Sequence, residues 1–179
     1  EKMDTYHLKV AGLERDLPVC PLGNGVSIAG FVMFSDVELT VACATELLKL
    51  LPAHDVLLTA ESKGIPLAYE MSRQSGKRYI LARKSKKLYM KNAVEVDVQS
   101  ITTNGLQKLF LSGDDMEYLK GKRVLLVDDV ISTGESLRAL EKLTEKAGGE
   151  IAGRAAVLAE GDAAKRKDII FLAPLPLIQ

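Results

Sequence analysis

One stretch of the chain decides the fold: Val124-Leu-Leu-Val-Asp-Asp-Val-Ile-Ser-Thr-Gly-Glu-Ser136. Its apolar start predicts a buried strand, which runs into two adjacent carboxylates, Asp128 and Asp129. A short loop with three hydroxyl side chains and one glycine follows, and the pattern from Leu137 onward predicts a helix. Backbone N–H groups at the start of that helix favour an anion, whereas the two carboxylates can accept hydrogen bonds from a sugar diol. The stretch therefore predicts a site for a ribose phosphate.

These residues resemble the phosphoribosyl-pyrophosphate (PRPP) signature of the type I phosphoribosyltransferases. The resemblance implies an α/β fold: a parallel sheet with flanking helices, a mobile lid hairpin and a small N-terminal hood segment. It also implies that Asp128 and Asp129 act on the ribose hydroxyls. The 5′-phosphate would be held by the loop residues Ser132, Thr133, Gly134, Glu135 and Ser136. The alternative is an ordinary strand–loop–helix connection whose acids cap the helix.

Two further segments are suited to pyrophosphate. The loop Glu61-Ser62-Lys63-Gly64 lies between a predicted buried strand and a helix start, so its backbone N–H groups can face an anion. The basic run from Arg83 to Lys87 follows the next predicted strand and could neutralise a leaving group. Each would otherwise be interpreted as a plain turn or a solvated basic face. The resemblance makes Glu61, Ser62, Lys63, Gly64 and Lys87 PRPP ligands and makes Arg83 and Lys84 catalytic residues.

Length and composition favour one domain without a nucleic-acid surface. The 179 residues are 47% hydrophobic and 27% charged, as in an ordinary α/β domain. Basic and acidic residues are equal at 24 each, so no global field would attract nucleic acid. Cys20 and Cys43 form no C-x-x-C motif, which predicts reduced, buried thiols of a cytoplasmic protein. No apolar run approaches the roughly 20 residues of a membrane span, so we expect no membrane partner.

The order of the elements predicts a parallel sheet with crossover helices after about residue 35. Residues 1–34 are predicted to form an irregular hood, in which 6–10 is a strand and prolines and glycines interrupt the rest. Residues 35–179 would be the core of the same domain. The sequence Ser35-Asp-Val-Glu38 fits a capping box at the start of a helix.

The segment 84–105 is the expected lid over the site. Valines alternate with polar residues over 94–98, which predicts a half-exposed strand. Asn104-Gly105 is typical of a hairpin turn, with 106–111 as the returning strand.

Other chemistries lack their motifs. The chain has no P-loop and no dinucleotide-binding glycine spacing. It also lacks the Gly-x-Ser-x-Gly elbow of serine hydrolases. His7 and His54 are far apart in sequence, which disfavours a histidine metal site.

The resemblance implies a purine acceptor. Hypoxanthine-guanine members carry an acid at the first position of the phosphate loop, where this chain has Ser132, which leaves the adenine or xanthine type. The lysine that reads the oxygenated purine in xanthine enzymes would fall near Gly161 and is missing. We expect Phe31, Val130 and Ile131 to contact the base, with core packing as an equal alternative for Phe31.

The predicted function is transfer of the phosphoribosyl group from PRPP to a purine, with release of pyrophosphate. The resemblance implies Mg²⁺ held through PRPP and water near the two acids, with no direct protein cage. It also suggests a homodimer. The alternative is a PRPP-binding regulator that keeps the fold without catalysis, although balanced charge and the absence of a helix-turn-helix pattern disfavour it.

Overall fold

Ten strands and four α-helices make up the part of the chain that the computed structural model describes, residues 4–99 and 106–179. The strands are β1 (Thr5–Val10), β2 (Leu13–Pro21), β3 (Ser27–Ala29), β4 (Val56–Ala60), β5 (Tyr79–Ala82), β6 (Val94–Val98), β7 (Gln107–Leu111), β8 (Arg123–Ile131), β9 (Glu150–Glu160) and β10 (Ile170–Leu175). The helices are α1 (Val37–Leu50), α2 (Ile65–Ser75), α3 (Gly113–Leu119) and α4 (Glu135–Ala147), with a 3-10 helix at Gly161–Lys165. The strand predicted before Glu61 is β4, the strand predicted before Arg83 is β5, and the helix predicted from Leu137 onward is α4, which begins at Glu135.

A five-stranded parallel sheet in the order β10-β9-β8-β4-β5 forms the centre of the molecule. β8 lies in the middle, and its four apolar residues Val124–Val127 are fully buried. Because parallel strands end at one edge of a sheet, the segments after β4, β5 and β8 meet there. The predicted α/β fold is confirmed.

The sheet is covered on both faces. On one face Leu126 of β8 packs in a cluster with Leu140 of α4 and Leu109 of the β6–β7 hairpin. On the other, Leu125 of β8 packs in a cluster with α1, α2 and the N-terminal strands. Successive residues of a strand point to opposite faces, so an unbroken apolar run is what a strand between two cores requires.

The N-terminal segment is more regular than its prolines suggest. β1, β2 and β3 form an antiparallel sheet, so the predicted irregular hood is wrong between residues 13 and 29, whereas the strand predicted at 6–10 is confirmed. Pro18 occupies the last pair between β2 and β1, and Pro21 ends β2. A proline's missing N–H is tolerated best at such strand ends.

Helix α1 begins one residue later than the predicted capping box. Asp36 is the N-cap and accepts a hydrogen bond from the Leu39 N–H at 3.2 Å, while Ser35 has a left-handed φ of 69°. Arg15 of β2 donates to the Asp36 carboxylate at 2.8 and 3.2 Å and to Glu38 at 2.8 Å. The capping box is therefore wrong, because a long-range arginine engages both of the acids that follow Ser35.

Strand β6 lies within the predicted lid segment and pairs with β7 in antiparallel orientation. The burial of Val96 and Val98 beside exposed Glu95 and Asp97 confirms the half-exposed strand. The backbone of Arg83 bridges that of Phe110, which ties β7 to the end of β5. The predicted Asn104-Gly105 turn lies outside the described residues.

The two cysteines have different environments. Cys43 is fully buried in α1, as predicted, but Cys20 is exposed, which corrects the expectation of two buried thiols. Among the described helices, none is long and apolar enough to cross a membrane.

Candidate active site

The two acids lie at the carboxyl end of the central strand. The Asp129 N–H donates to Asp128 Oδ1 at 2.8 Å. Asp129 is only 4% exposed, and its Oδ2 has no hydrogen-bond partner among the described residues. A buried carboxylate oxygen without a donor is costly unless a ligand or water satisfies it. Asp129 Oδ2 is therefore a candidate acceptor for a hydrogen bond from a ligand or a water molecule.

Asp128 carries an unusual protonation preference. Burial, followed by the charge of Asp129, raises the pKa of the Asp128 carboxyl well above its ordinary value. The Lys63 cation acts in the opposite direction but more weakly. Protonation of Asp128 would lower the repulsion between the two acids, which is one physical cause of the raised pKa.

The loop after β8 lies at the start of α4, where the sequence predicts a phosphate cradle. Residues 130–137 and Asp128 line a small cavity of about 120 Å³. Gly134 caps the helix in a left-handed conformation with φ of 82°, which a residue with a side chain adopts only with strain. The Ser132 hydroxyl donates to Glu160 Oε1 at 2.9 Å, so β9 holds the first hydroxyl of the loop.

The loop after β4 lies directly against the acids. A Cβ on Gly64 would approach Thr59 Oγ1 to 2.7 Å and Asp128 Oδ1 to 3.2 Å, distances that leave room only for glycine. The peptide bond between Glu61 and Ser62 is cis. The structure therefore brings together two loops that are more than 60 residues apart in the sequence.

The end of β5 is joined to the same loop. Glu61 Oε1 accepts hydrogen bonds from Arg83 Nε at 2.8 Å and from the Lys84 N–H at 3.0 Å. The Arg83 guanidinium, supported by the Lys84 N–H, lowers the pKa of Glu61. Arg83 also donates to the Tyr89 hydroxyl, a contact that the sequence did not predict. In the same basic run, the Lys87 ammonium donates a hydrogen bond to Ser85 Oγ at 2.8 Å.

Comparison with known proteins agrees with this arrangement. The model of the phosphoribosyl transferase domain matches residues 44–173, which include all three segments that the sequence predicts to bind anions. The chain belongs to this family.

The relatives of this phosphoribosyltransferase are named for different purine acceptors. It is 34% identical over 143 residues to a hypoxanthine/guanine phosphoribosyltransferase of Methanococcus voltae, covering 79% of this chain and 70% of the relative. It is 36% identical over 97 residues to an adenine phosphoribosyltransferase of Thermotoga petrophila, covering 54% of each.

Solved structures agree on the fold. An adenine phosphoribosyltransferase of Thermoanaerobacter pseudethanolicus superposes with a TM-score of 0.71, covering 88% of this chain and 95% of that one at 19% identity. The resemblance to the family and the expected enzyme class are both confirmed.

The three predicted base contacts of the phosphoribosyltransferase occupy different environments. Phe31 is 3% exposed inside the N-terminal core cluster, and Val130 packs against that cluster. Ile131 is 2% exposed in the cluster on the other face. Phe31 therefore packs in the core, and its contact with a base stays a prediction.

Two site neighbours were missed by the sequence interpretation. Glu160 ends β9 and holds Ser132, and Arg166 follows the 3-10 helix and reaches Gly134. The basic run Lys165-Arg166-Lys167 is visible in the sequence, but no motif links it to the phosphate loop. Only the packing of that segment against the loop reveals its position.

Proposed function

We propose that this phosphoribosyltransferase transfers the 5-phosphoribosyl group of PRPP to a ring nitrogen of a purine. The observation that carries the proposal is the position of Gly64, whose backbone lies against Asp128. Asp128 also lines the cavity of the loop after β8, so one acid contacts both of the loops that we propose as anion sites. A ligand with a diol flanked by a phosphate and a pyrophosphate matches that arrangement.

Each segment has one proposed role. The loop Ser132–Ser136 binds the 5′-phosphate through its N–H groups and hydroxyls. Asp128 and Asp129 accept hydrogen bonds from the ribose 2′ and 3′ hydroxyls, which would satisfy the unpaired Asp129 Oδ2. The pyrophosphate lies between the Glu61–Gly64 loop and the cations Arg83, Lys84 and Lys87.

In the proposed reaction a lone pair of the purine nitrogen forms a bond to the anomeric carbon. The bond from that carbon to pyrophosphate breaks, and pyrophosphate leaves with the electron pair. The proton on the attacking ring passes to solvent. Arg83 and Lys84 stabilise the negative charge that develops on the leaving group. The lid expected over 84–105 would exclude water, which would otherwise hydrolyse the sugar cation.

The residues present fit a Mg²⁺ ion shared with the substrate. Within the described residues no group of three or more metal-ligating side chains forms a protein cage. Two adjacent carboxylates, one with an orphaned buried oxygen, are nevertheless the hard donors that Mg²⁺ takes together with substrate phosphates and water. Bound there, Mg²⁺ would neutralise pyrophosphate charge, while Asp128 and Asp129 orient the ribose.

The proposed acceptor is a purine. Hypoxanthine and guanine join adenine and xanthine, the two bases that the sequence interpretation left, as candidates. Ser132 argued against the first two bases, but the relative from Methanococcus voltae carries their names and aligns over most of this chain. An adenine-named relative aligns over 54% of it. Phe31, Val130 and Ile131 remain the proposed base contacts.

One assay tests the transfer directly. Purified protein with Mg²⁺ and PRPP is mixed with adenine, hypoxanthine, guanine or xanthine, and pyrophosphate release and nucleotide formation are measured. We expect turnover with at least one base and loss of turnover in Asp129→Ala. Asp16→Ala, which removes an exposed carboxylate on β2, is the matched control and should be fully active. Full activity of Asp129→Ala would refute the role of this acid.

A binding measurement on the same purified protein distinguishes the enzyme from the alternative, a non-catalytic regulator. PRPP binding measured by calorimetry, without turnover on any of the four bases, would favour the regulator and reject the enzyme.

We also propose that the chain forms a homodimer through an apolar groove of about 510 Å³ beside Ser62. Its rim carries Val37 and Tyr69, which are 71% and 57% exposed. Apolar patches of this kind are typical of association surfaces. Val37→Asp should produce monomers in sedimentation analysis, whereas Leu50→Asp, at the exposed other end of α1, should not.

A further inference from the structure

The segment that follows β9 places a cation over the phosphate loop. Arg166 comes directly after the 3-10 helix Gly161–Lys165, and its Nη1 lies 2.9 Å from the position that a Cβ on Gly134 would occupy. Gly134 is the N-cap of the 13-residue helix α4. Arg166 Nη1 therefore faces the place where the backbone N–H groups of this helix are unpaired.

The guanidinium is held in this orientation by a second residue. Arg166 Nε and Nη2 donate to the two carboxylate oxygens of Asp168 at 2.9 and 2.8 Å. This fork uses one edge of the planar group and directs Nη1 toward Gly134. The side chain is 32% exposed, so an incoming anion can reach it.

The loop has a charge deficit that Arg166 can correct. Ser132–Ser136 contains Glu135 and neither lysine nor arginine, and Glu160 accepts the Ser132 hydroxyl. The predicted pyrophosphate cations Arg83, Lys84 and Lys87 follow β5, at the far side of the sheet from β9 and β10. A phosphate monoester carries close to two negative charges at neutral pH. The loop supplies hydroxyls and N–H groups but no cation, so any cationic ligand of the phosphate would come from another element.

We propose that Arg166, oriented by Asp168, is a ligand of the 5′-phosphate of the sugar substrate. The inference rests on the proposed function and adds a residue of the β9–β10 connection to the phosphate site. Arg166 binds the phosphate in the substrate and in the transition state alike, because this group does not change during transfer. Its removal should therefore raise KM for PRPP much more than it lowers kcat.

Calorimetric binding of two fragments of the substrate tests the proposal. Ribose 5-phosphate carries the phosphate in question, and inorganic pyrophosphate does not. Arg166→Ala should lower the affinity for ribose 5-phosphate by about 10- to 100-fold, which corresponds to the loss of a charged hydrogen bond. It should leave pyrophosphate binding within about twofold of the starting protein. Arg166→Lys should recover part of the affinity, because it restores the charge without the fork.

Two matched variants complete the experiment. Lys165→Ala removes a cation from the adjacent position, where the side chain is 83% exposed, and should bind both fragments normally. Asp168→Asn disrupts the paired hydrogen bonds that orient Arg166. It should lower the affinity for ribose 5-phosphate less than Arg166→Ala does. Circular dichroism of each variant verifies the fold.

The outcomes separate this inference from the proposed function. Equal binding of ribose 5-phosphate by Arg166→Ala and the starting protein overturns the inference alone. Parallel loss of both fragments also overturns it, because that result indicates a structural role. If the unsubstituted protein binds neither ribose 5-phosphate nor PRPP, the proposed function fails, and this inference fails with it.

Discussion

Arg83 Nε donates a 2.8 Å hydrogen bond to Glu61 Oε1, which joins the loop after β4 to the end of β5. Both side chains are about three-quarters buried, and the Lys84 N–H bonds the same oxygen. The Glu61 carboxylate thus orients the Arg83 guanidinium and also offsets its charge.

Removing the charge of Glu61 and removing that of Arg83 should have opposite effects on the affinity for pyrophosphate. Glu61→Gln keeps an oxygen acceptor for both N–H groups but removes the competing negative charge, so pyrophosphate should bind several-fold more tightly. Arg83→Gln should weaken it by about tenfold or more, the effect expected for a charge-assisted hydrogen bond. Arg78→Gln, at the exposed start of β5, is the control. Calorimetry measures the pyrophosphate affinity of each variant. Weaker binding by Glu61→Gln would contradict the prediction, because it would mean that the Glu61 charge is needed to hold Arg83.

Gly64 and Thr59 should be energetically coupled. A methyl group on Gly64 would meet Thr59 Oγ1 at 2.7 Å, so Gly64→Ala should destabilise the fold by about 1–3 kcal/mol, as overpacking does. Thr59 is fully buried, and its hydroxyl has no partner among the described residues. Thr59→Ala removes this oxygen and should relieve part of the Gly64→Ala penalty. Urea unfolding of the two single variants and the double variant measures the coupling; strictly additive changes would contradict the contact.

Asp128 should make the ligand-free protein less stable as pH rises. Its folded pKa lies above its unfolded value, so the folded state binds the proton more strongly. The free energy of unfolding then falls between about pH 3.8, the ordinary pKa, and the raised pKa, by about 1.4 kcal/mol for each pH unit of that interval. Asp128→Asn should remove this fall, raise stability at pH 8 and abolish turnover. Urea unfolding at pH 5 and pH 8 is the measurement, and parallel pH profiles of both proteins would reject the raised pKa.

The two thiols should react very differently. Cys20 is exposed, whereas burial raises the pKa of the Cys43 thiol to about 12, which suppresses its thiolate at neutral pH. A thiol-reactive dye should therefore modify one cysteine in the native protein and both in urea. Cys20→Ser should remove the native reaction, while Cys43→Ser should leave it unchanged. A rapid native reaction in Cys20→Ser would show that α1 opens readily.

Local patterns were sufficient for the elements that form the site. The apolar run before Asp128 and the hydroxyl-rich loop after it act within a few residues, so strand, loop and helix were predictable there. The cap of α1 was not predictable in this way, because Arg15 of β2 selects Asp36 across 21 residues of sequence. The exposure of Cys20 likewise depends on how β2 and β3 pair.

The sequence by itself determined the buried strand, its two acids and the hydroxyl-rich loop, because these depend on residue type and short-range spacing. Only the tertiary structure decided what surrounds them. The parallel sheet brings Gly64 against Asp128 and Glu61 to Arg83, and the β9–β10 connection brings Arg166 to Gly134. These contacts join residues 22 to 64 positions apart, a separation that no local pattern encodes.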